Sequence, residues 1–492
     1  MGKIMRLGGR GLRYIKQYGL ARLYRKIMER RRRNAAEAGY NDWLLKQLPD
    51  AEEDARQREK KFAYEPCISI LVPAYETPEN FLRQMIDSVL DQSYGNLELC
   101  IADGSPSDKV EQTVKEYEKK NSRIKYRHLT ENLGISDNTN AALALATGDY
   151  VGLLDHDDLL LPGALFEIVE ALNESGGADA VYTDEDKVNM ELTRHFQPHF
   201  KPDFNQEYLR SNNYICHFFV VRRSIALEVG GFREEFDGAQ DHDFIFRCTE
   251  EAEQVLHVAK VLYSWRSHEA STATNPESKL YAYEAGKRAV SAHLARTGRM
   301  GTPQNTDNYG FYRVCYPGVP SILKNSFEKF DGQTGVNVVY YGKVCNISVT
   351  INPEDHYVLF MHVRNQRQKH TRVNAQFYEA LKACCDRPDT GLACARVYDA
   401  RKRLAGDIRM RGVKDPFSDG MKGLKYGYTG YNHRAVLQQE LEQPTDCFMV
   451  RADILKTCVP EGGEVSVETL AAKLTESGYH IYYEPWAVLY EG

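Results

Sequence analysis

Tyr150-Val151-Gly152-Leu153-Leu154-Asp155-His156-Asp157-Asp158 is the stretch on which the fold turns. Its first half has the Val and Leu content of a buried strand, and it stops abruptly in a cluster of carboxylates. Acids packed this closely resist ionising together unless a cation neutralises them. Hard oxygen ligands at the carboxyl end of a strand suit Mg²⁺ or Mn²⁺ carrying substrate phosphates. Open α/β sheets also collect their ligands at that edge. A solvated acidic loop is the rival account of an isolated DxDD, and the surrounding chain favours the metal.

Upstream, residues 67–72 predict an apolar strand closed by Pro73. Residues 78–90 predict a helix that buries Phe81, Leu82, Met85, Ile86 and Val89. A second strand over 97–102 ends at Asp103, and a helix near 109–119 precedes a strand at 124–128. A helix over 137–146 leads into the strand that ends at Asp155. Repeated β-α-β order means a parallel sheet with crossover helices. No GxGxxG opens the first helix and no GxxxxGK[ST] follows a strand, which weighs against dinucleotide and P-loop readings.

Downstream, part of the pattern recurs. Phe219-Val220-Val221-Arg222 returns as Phe448-Met449-Val450-Arg451, and Val261-Leu262-Tyr263 returns as Val488-Leu489-Tyr490 at nearly the same offset. Residues 178–182 likewise resemble 391–398, as a duplicated module requires. Where acids should follow the strand at 357–361, the chain has His362-Val363-Arg364-Asn365, which cannot hold a metal as Asp155 and Asp157 can. Residues 318–492 are therefore expected to form a degenerate module, structural or acceptor-handling. The domains expected are 1–64 (basic helix and connector), 65–317 (the chemistry-bearing domain) and 318–492.

The 492 residues allow two or three domains with ample core. A net charge of -6 and a pI near 6.2 argue against general nucleic-acid binding. The eleven cysteines include no CxxC pair, the pattern of reduced thiols. No apolar run is long enough to cross a bilayer, and the basic N-terminus lacks a continuous apolar signal core. The expected location is the cytoplasm. Residues 1–33 nevertheless concentrate Lys and Arg against a single acid, Glu29. Leu20, Leu23, Tyr24 and Ile27 fall on one helical face among Arg25, Lys26 and Arg30 to Arg33. Such a helix lies on an anionic membrane surface, here the inner face of the plasma membrane, or else packs as a solvated helix on the main domain. Tyr40 and Trp43 are expected to anchor the connector.

Val72-Pro73-Ala74-Tyr75-Glu76-Thr77, Asp103, Asn132-Leu133-Gly134-Ile135-Ser136, the Asp155 cluster and Gln240-Asp241-His242-Asp243 occur in the order seen in family 2 glycosyltransferases. Over about residues 66–300 the chain resembles that family, with its GT-A fold of a mixed, mostly parallel sheet flanked by helices. The nearest likeness is to bacterial enzymes of O-antigen, capsule, rhamnan and related cell-surface polysaccharides, some of which carry two such modules.

The resemblance implies an inverting hexosyl- or deoxyhexosyltransferase. It would use a nucleotide-diphosphate sugar, Mn²⁺ or Mg²⁺, and a glycan or lipid-linked glycan acceptor. Pro73, Ala74, Tyr75, Glu76 and Asp103 would line the base and ribose pocket, where a carboxylate accepts charge-assisted hydrogen bonds. Strand termination and a simple turn are the rival roles. Asn132, Gly134, Ser136 and Asn140 would border the donor. Thr139 stands where many members carry Arg, which shifts phosphate neutralisation toward the metal. Asp155 and His156 would flank the nucleotide. Asp157, Asp155 and His268 would hold the metal, with Asp157 the first choice for direct coordination.

Asp241 would be the catalytic base, taking the acceptor's hydroxyl proton. Its rival role is a helix N-cap, with Asp243 or Asp237 as alternative structural acids. Trp265 and Arg266 would meet the acceptor, or Trp265 would pack in the core. His195 and His199 flank Pro198 and are expected in a loop. Thr183-Asp184-Glu185-Asp186 is either a sugar contact or a solvated turn. The competing functional classes are a non-catalytic glycan-binding scaffold and a sugar nucleotidyltransferase; the latter would need a Gly-rich basic loop after the first strand. Sugar, base, acceptor and oligomeric state are not written in these motifs.

Overall fold

Strand β1 (Ile68–Ala74) is apolar at nearly every position and lies between two parallel neighbours, β2 (Leu97–Asp103) and β4 (Tyr150–Leu153), with β3 (Ile124–His128) outside β2. The sheet continues through β5 (Leu159–Leu160), β6 (Ala180–Asn189), β7 (His195–His199), β8 (Phe219–Arg222) and β9 (Val255–Ser267). Its order is β3-β2-β1-β4-β8-β6-β9-β5, with β7 paired to β6. Strand β8 runs antiparallel to both β4 and β6, so the sheet is mixed. These assignments come from a computed structural model that describes residues 15–16, 19–267, 280–318, 326–342, 347–362, 371–417, 421–459 and 463–491.

The helix Glu79–Leu90 buries Phe81, Leu82, Met85, Ile86 and Val89, the face its spacing predicts. Strand β1 does not stop before Pro73 but runs through it to Ala74. Pairing with β4 ends at Leu71, so Pro73 has only β2 beside it and its missing N–H is tolerated, as at a sheet edge. Gly152 in β4 has a packing reason: a Cβ there would sit 2.7 Å from the Phe218 ring. The acidic 183–186 segment is neither loop nor solvated turn. It lies inside β6, with Asp184 and Asp186 each 1% exposed. His195 and His199 are also in a strand, and each faces a β6 acid: His195 Nδ1 is 2.9 Å from Asp186 and His199 Nδ1 3.3 Å from Glu185. Buried acids tolerate a strand interior when such partners supply the donors. Tyr40 adds a third contact, its hydroxyl donating to Asp186 at 2.8 Å.

The chain divides into two compact units, Gly39–Cys315 with Arg411–Asp415, and Met1–Ala38 with Tyr316–Met410 and Pro416–Gly492. The first ends in a hairpin of β10 (Thr302–Asn305) and β11 (Tyr312–Cys315). The second contains β12 (Phe327–Lys329), β13 (Val336–Tyr341), β14 (Ile347–Ser348), β15 (Tyr357–His362), β16 (Arg372–Asn374) and β17 (Thr390–Tyr398). It closes with β18 (Gln439–Glu440), β19 (Cys447–Arg451), β20 (Glu464–Val465) and β21 (His480–Tyr490).

Its main sheet runs β12-β16-β21-β17-β19-β15-β13. Read from β13, this is the β1-β4-β8-β6-β9-β5 succession again, strand sense for strand sense. Register repeats too: Tyr150 pairs with Arg222 in one sheet and Tyr357 with Arg451 in the other. Among the described residues the copy has no counterparts of β2 and β3.

The helix Leu20–Ala36 belongs to this second unit, where Glu29 accepts the Thr429 N–H and hydroxyl. Its Leu20, Tyr24 and Ile27 are 69%, 62% and 43% exposed, so the apolar stripe is not what seats it.

Candidate active site

The carboxyl ends of β1, β2 and β4 lie side by side, and the residues singled out in the sequence collect along that edge. After β4, Leu154 donates its N–H to Leu71, and the chain turns through Asp155 to Asp158. Asp158 is 5% exposed. The Tyr263 hydroxyl donates to its Oδ2 at 2.7 Å and the Arg266 N–H to its Oδ1 at 2.8 Å. Burial, then the charges of Asp157 and Asp155, push its carboxyl well above the ordinary range. Asp155 is also raised, by burial first, against the lowering pull of His217. Its side chain keeps 46% of its surface open, so Asp158 is the more strongly perturbed acid.

His217 completes the group. Its Nε2 lies 3.7 Å from Asp155 Oδ2, and ligand atoms of Asp155, Asp158 and His217 all fall within 4.8 Å of one another. That spacing is long for hydrogen bonds and wide enough for a cation, since ligands at about 2.1 Å from Mg²⁺ lie roughly 3 to 4 Å apart. Two carboxylates and an imidazole form a donor set that suits Mn²⁺ or Mg²⁺. Asp157 adjoins the trio, half-exposed, and its charge acts on both other acids. Its carbonyl accepts the Arg266 Nε–H at 2.6 Å. His268 lies outside the described residues.

Across the edge, Asp103 is fully buried, with Ser105 N–H and the Tyr126 hydroxyl on its two oxygens. Tyr75 is 46% exposed after Ala74, and Glu76 follows with a left-handed φ of 46°, held by Ser105 and Ser107. His156 Nδ1 meets the Thr77 hydroxyl at 2.9 Å, tying the acidic turn to the end of β1. Asn132 accepts from Gly134 N–H and Asn138, while the half-buried Asn140 spends both ends of its amide on the Phe232 backbone. Ser136 donates to Asp237. The last two thus pack the helix Ile135–Leu143 against the segment before Asp241.

Asp241 sits in the first turn of the helix Gln240–Glu251, whose N-cap is Ala239, so it does not cap that helix. Its Oδ2 accepts from Asn213 Nδ2 at 2.8 Å and faces the Cys216 thiol at 3.5 Å. Its charge reaches Asp155. Asp243 is the structural acid, fully buried and ion-paired with Arg233 and Arg247. Trp265 is half-buried, its ring meeting that of His217 in a T-shaped contact. Arg266 is 2% exposed, braced between Asp157, Asp158 and the Phe81 ring at 4.3 Å.

Sequence reasoning overlooked His217, Tyr263 and Asn213, and passed over Asp158 as a ligand. The local signal for Asp158 was present in the acidic run; His217 had none beyond preceding an apolar strand.

Residues 69–230 match the family model described as Glycosyl transferase family 2. The chain is 33% identical to the uncharacterised protein y4gI of Sinorhizobium fredii, over 86% of this chain and 53% of that one. It is 34% identical to the O-antigen biosynthesis protein RfbC of Myxococcus xanthus, over 58% of this chain and 22% of that one. The chain therefore spans about half the length of the first relative and about a fifth of the second. Among solved structures, S. aureus TarS 1–349 in complex with UDP-GlcNAc aligns with a TM-score of 0.38 and 20% identity, over 46% of this chain and 66% of that one.

Proposed function

Because the chain belongs, through residues 69–230, to glycosyl transferase family 2, we propose that it moves a sugar from a nucleotide-diphosphate donor to a glycan or lipid-linked glycan acceptor, with inversion, in cell-surface polysaccharide synthesis. The observation that carries this reading is the pairing of two acidic positions at one sheet edge. Asp155 with its neighbours suits a cation and diphosphate, while Asp241 is oriented by Asn213 and stands apart from the trio.

In this reaction Asp241 accepts the proton of the acceptor hydroxyl as that oxygen bonds to the anomeric carbon. The bond from that carbon to the diphosphate oxygen breaks, and the electron pair leaves with the nucleoside diphosphate. A Mn²⁺ or Mg²⁺ ion held by Asp155, Asp157, Asp158 and His217, with His268 as a further candidate, would neutralise the leaving charge. Pro73, Ala74, Tyr75, Glu76 and Asp103 would form the nucleoside side of the pocket. Trp265, rather than the sealed Arg266, offers the acceptor a flat face.

The exposed Leu20, Tyr24 and Ile27, among exposed cations, would place the enzyme on an anionic membrane surface, where lipid-linked acceptors are found. No helix among the described residues is long and apolar enough to cross a membrane. The decisive assay is Mn²⁺-dependent donor turnover, screened across UDP, GDP and dTDP sugars. Complete silence with a folded protein would favour the non-catalytic scaffold.

A further inference from the structure

Lys201 is a lysine with no exposed surface, and its ammonium is wholly engaged around the turn at His217. It donates to Glu185 Oε2 at 3.0 Å, to the Ile215 carbonyl at 2.7 Å and to the His217 carbonyl. Glu185 Oε2 in turn accepts the His217 N–H at 3.3 Å. One buried ion pair therefore grips His217 at both its backbone N–H and its carbonyl. Lys201 Nζ and Glu185 Oε2 stand at ion-pair distance, both almost wholly buried, so the grip is charge-assisted.

The imidazole is fixed as firmly. It stacks on Tyr263, ring centroids 4.6 Å apart and 7° from parallel, and meets the Trp265 ring at 5.3 Å. It is 7% exposed, its Nδ1 meets no hydrogen-bond partner among the described residues, and its Nε2 points at Asp155. The preceding residue, Cys216, has a left-handed φ of 40°, a conformation that persists in a non-glycine only when its surroundings impose it. The clamp on Ile215 and His217 is that imposition. Losing either member of a buried pair strands the other's charge, so Lys201 and Glu185 act as a unit on a turn whose side chains go to the acids.

We propose that His217 is a nitrogen ligand of the cation site, and that Lys201 with Glu185 is the positioning pair that aims it. This rests on the cation reading of the preceding section. The same turn also carries Asn213 and Cys216 to Asp241, so one buried pair sets both halves of the site.

The test is Mn²⁺ titration of the full chain by electron paramagnetic resonance, with and without inorganic diphosphate. The expected spectrum of bound Mn²⁺ shows coupling to one ¹⁴N, which His217→Ala removes while weakening affinity. Lys201→Met keeps the imidazole yet should lose the nitrogen coupling, with affinity lowered by about 10- to 100-fold, the range for residues that orient a ligand. The double variant should bind no worse than His217→Ala alone. Bound Mn²⁺ without nitrogen coupling in the unaltered protein, a measurement that needs no variant to fold, overturns the His217 assignment and leaves the cation reading standing. No Mn²⁺ binding under any condition overturns both. Nitrogen coupling that survives in folded Lys201→Met overturns the positioning role.

Discussion

Asn213 donates its amide N–H to Asp241 Oδ2 at 2.8 Å from a turn that Lys201 holds in place, so the carboxylate's direction is set by a residue well outside its own helix. A carboxylate fixed this way would lose little orientation if it served as the base when substrate binds. Asp241→Asn preserves shape and removes basicity. Transfer to acceptor should fall by about 10²- to 10⁴-fold, the usual worth of a positioned base, while donor affinity stays within a few-fold. Asn213→Ala, which frees the carboxylate without deleting it, should fall between. Retained turnover in Asp241→Asn would remove it as the base.

If a cation binds at the proposed site, Asp155 and Asp157 should contribute to it separably. Asp157 raises the carboxyls of both Asp155 and Asp158, so Asp157→Ala removes a ligand candidate and also relieves repulsion. Asp155→Ala removes a member of the trio outright. The thermal shift produced by donor with Mn²⁺ should therefore shrink more in Asp155→Ala than in Asp157→Ala, and chelator should abolish it in the unaltered protein. A ligand at about 100 times its Kd stabilises by about 2.7 kcal/mol, so the shift is measurable. Equal shifts with and without chelator would count against coordination.

How much of this was legible follows from where each signal resides. Strands β1, β2 and β4 announce themselves because a parallel strand buried on both faces is apolar at successive positions, and the acids that end β4 mark the ligand edge. The repeat was legible because Phe219–Arg222 and Phe448–Arg451 occupy the same register in their sheets. His217 was not. Its place is dictated by Lys201 and Glu185, more than ten residues away along the chain, and by a ring from β9. Residues 183–186 looked like a turn because nothing local reveals that Lys201, His195 and His257 supply their hydrogen-bond partners. Long-range polar satisfaction is invisible to a periodicity argument.

Glu98 gives the fold an acid-sensitive fastening at the rear of the same sheet. Burial would raise its carboxyl, but Lys125 at 2.6 Å, Thr147 and Ser69 hold it at about 2. A carboxyl depressed below its unfolded value of 4.5 stabilises the fold above that value, and the contribution is lost as pH falls toward 2. The shift corresponds to about 3 kcal/mol. Urea unfolding between pH 7 and pH 3 should show Glu98→Gln less stable at pH 7 and flatter in its pH dependence. Parallel curves for the two proteins would show that Glu98 is not the group responsible.

The helix Leu20–Ala36 offers a test in which folding is not at stake. Leu20, Tyr24 and Ile27 already face solvent, so replacing all three with Ser should leave the thermal midpoint unchanged. The same change removes the apolar surface that would enter a headgroup layer, while Arg30, Arg31 and Arg32 remain to supply up to about 1 kcal/mol each near anionic lipid. Pelleting with vesicles rich in phosphatidylserine should drop by about tenfold or more, because even partial burial of three such side chains exceeds about 1.4 kcal/mol. Salt near 1 M should weaken what remains, since the Debye length is then about 3 Å. Unaltered protein that ignores anionic vesicles at low salt, or a triple variant that pellets equally well, would leave the stripe without a membrane role.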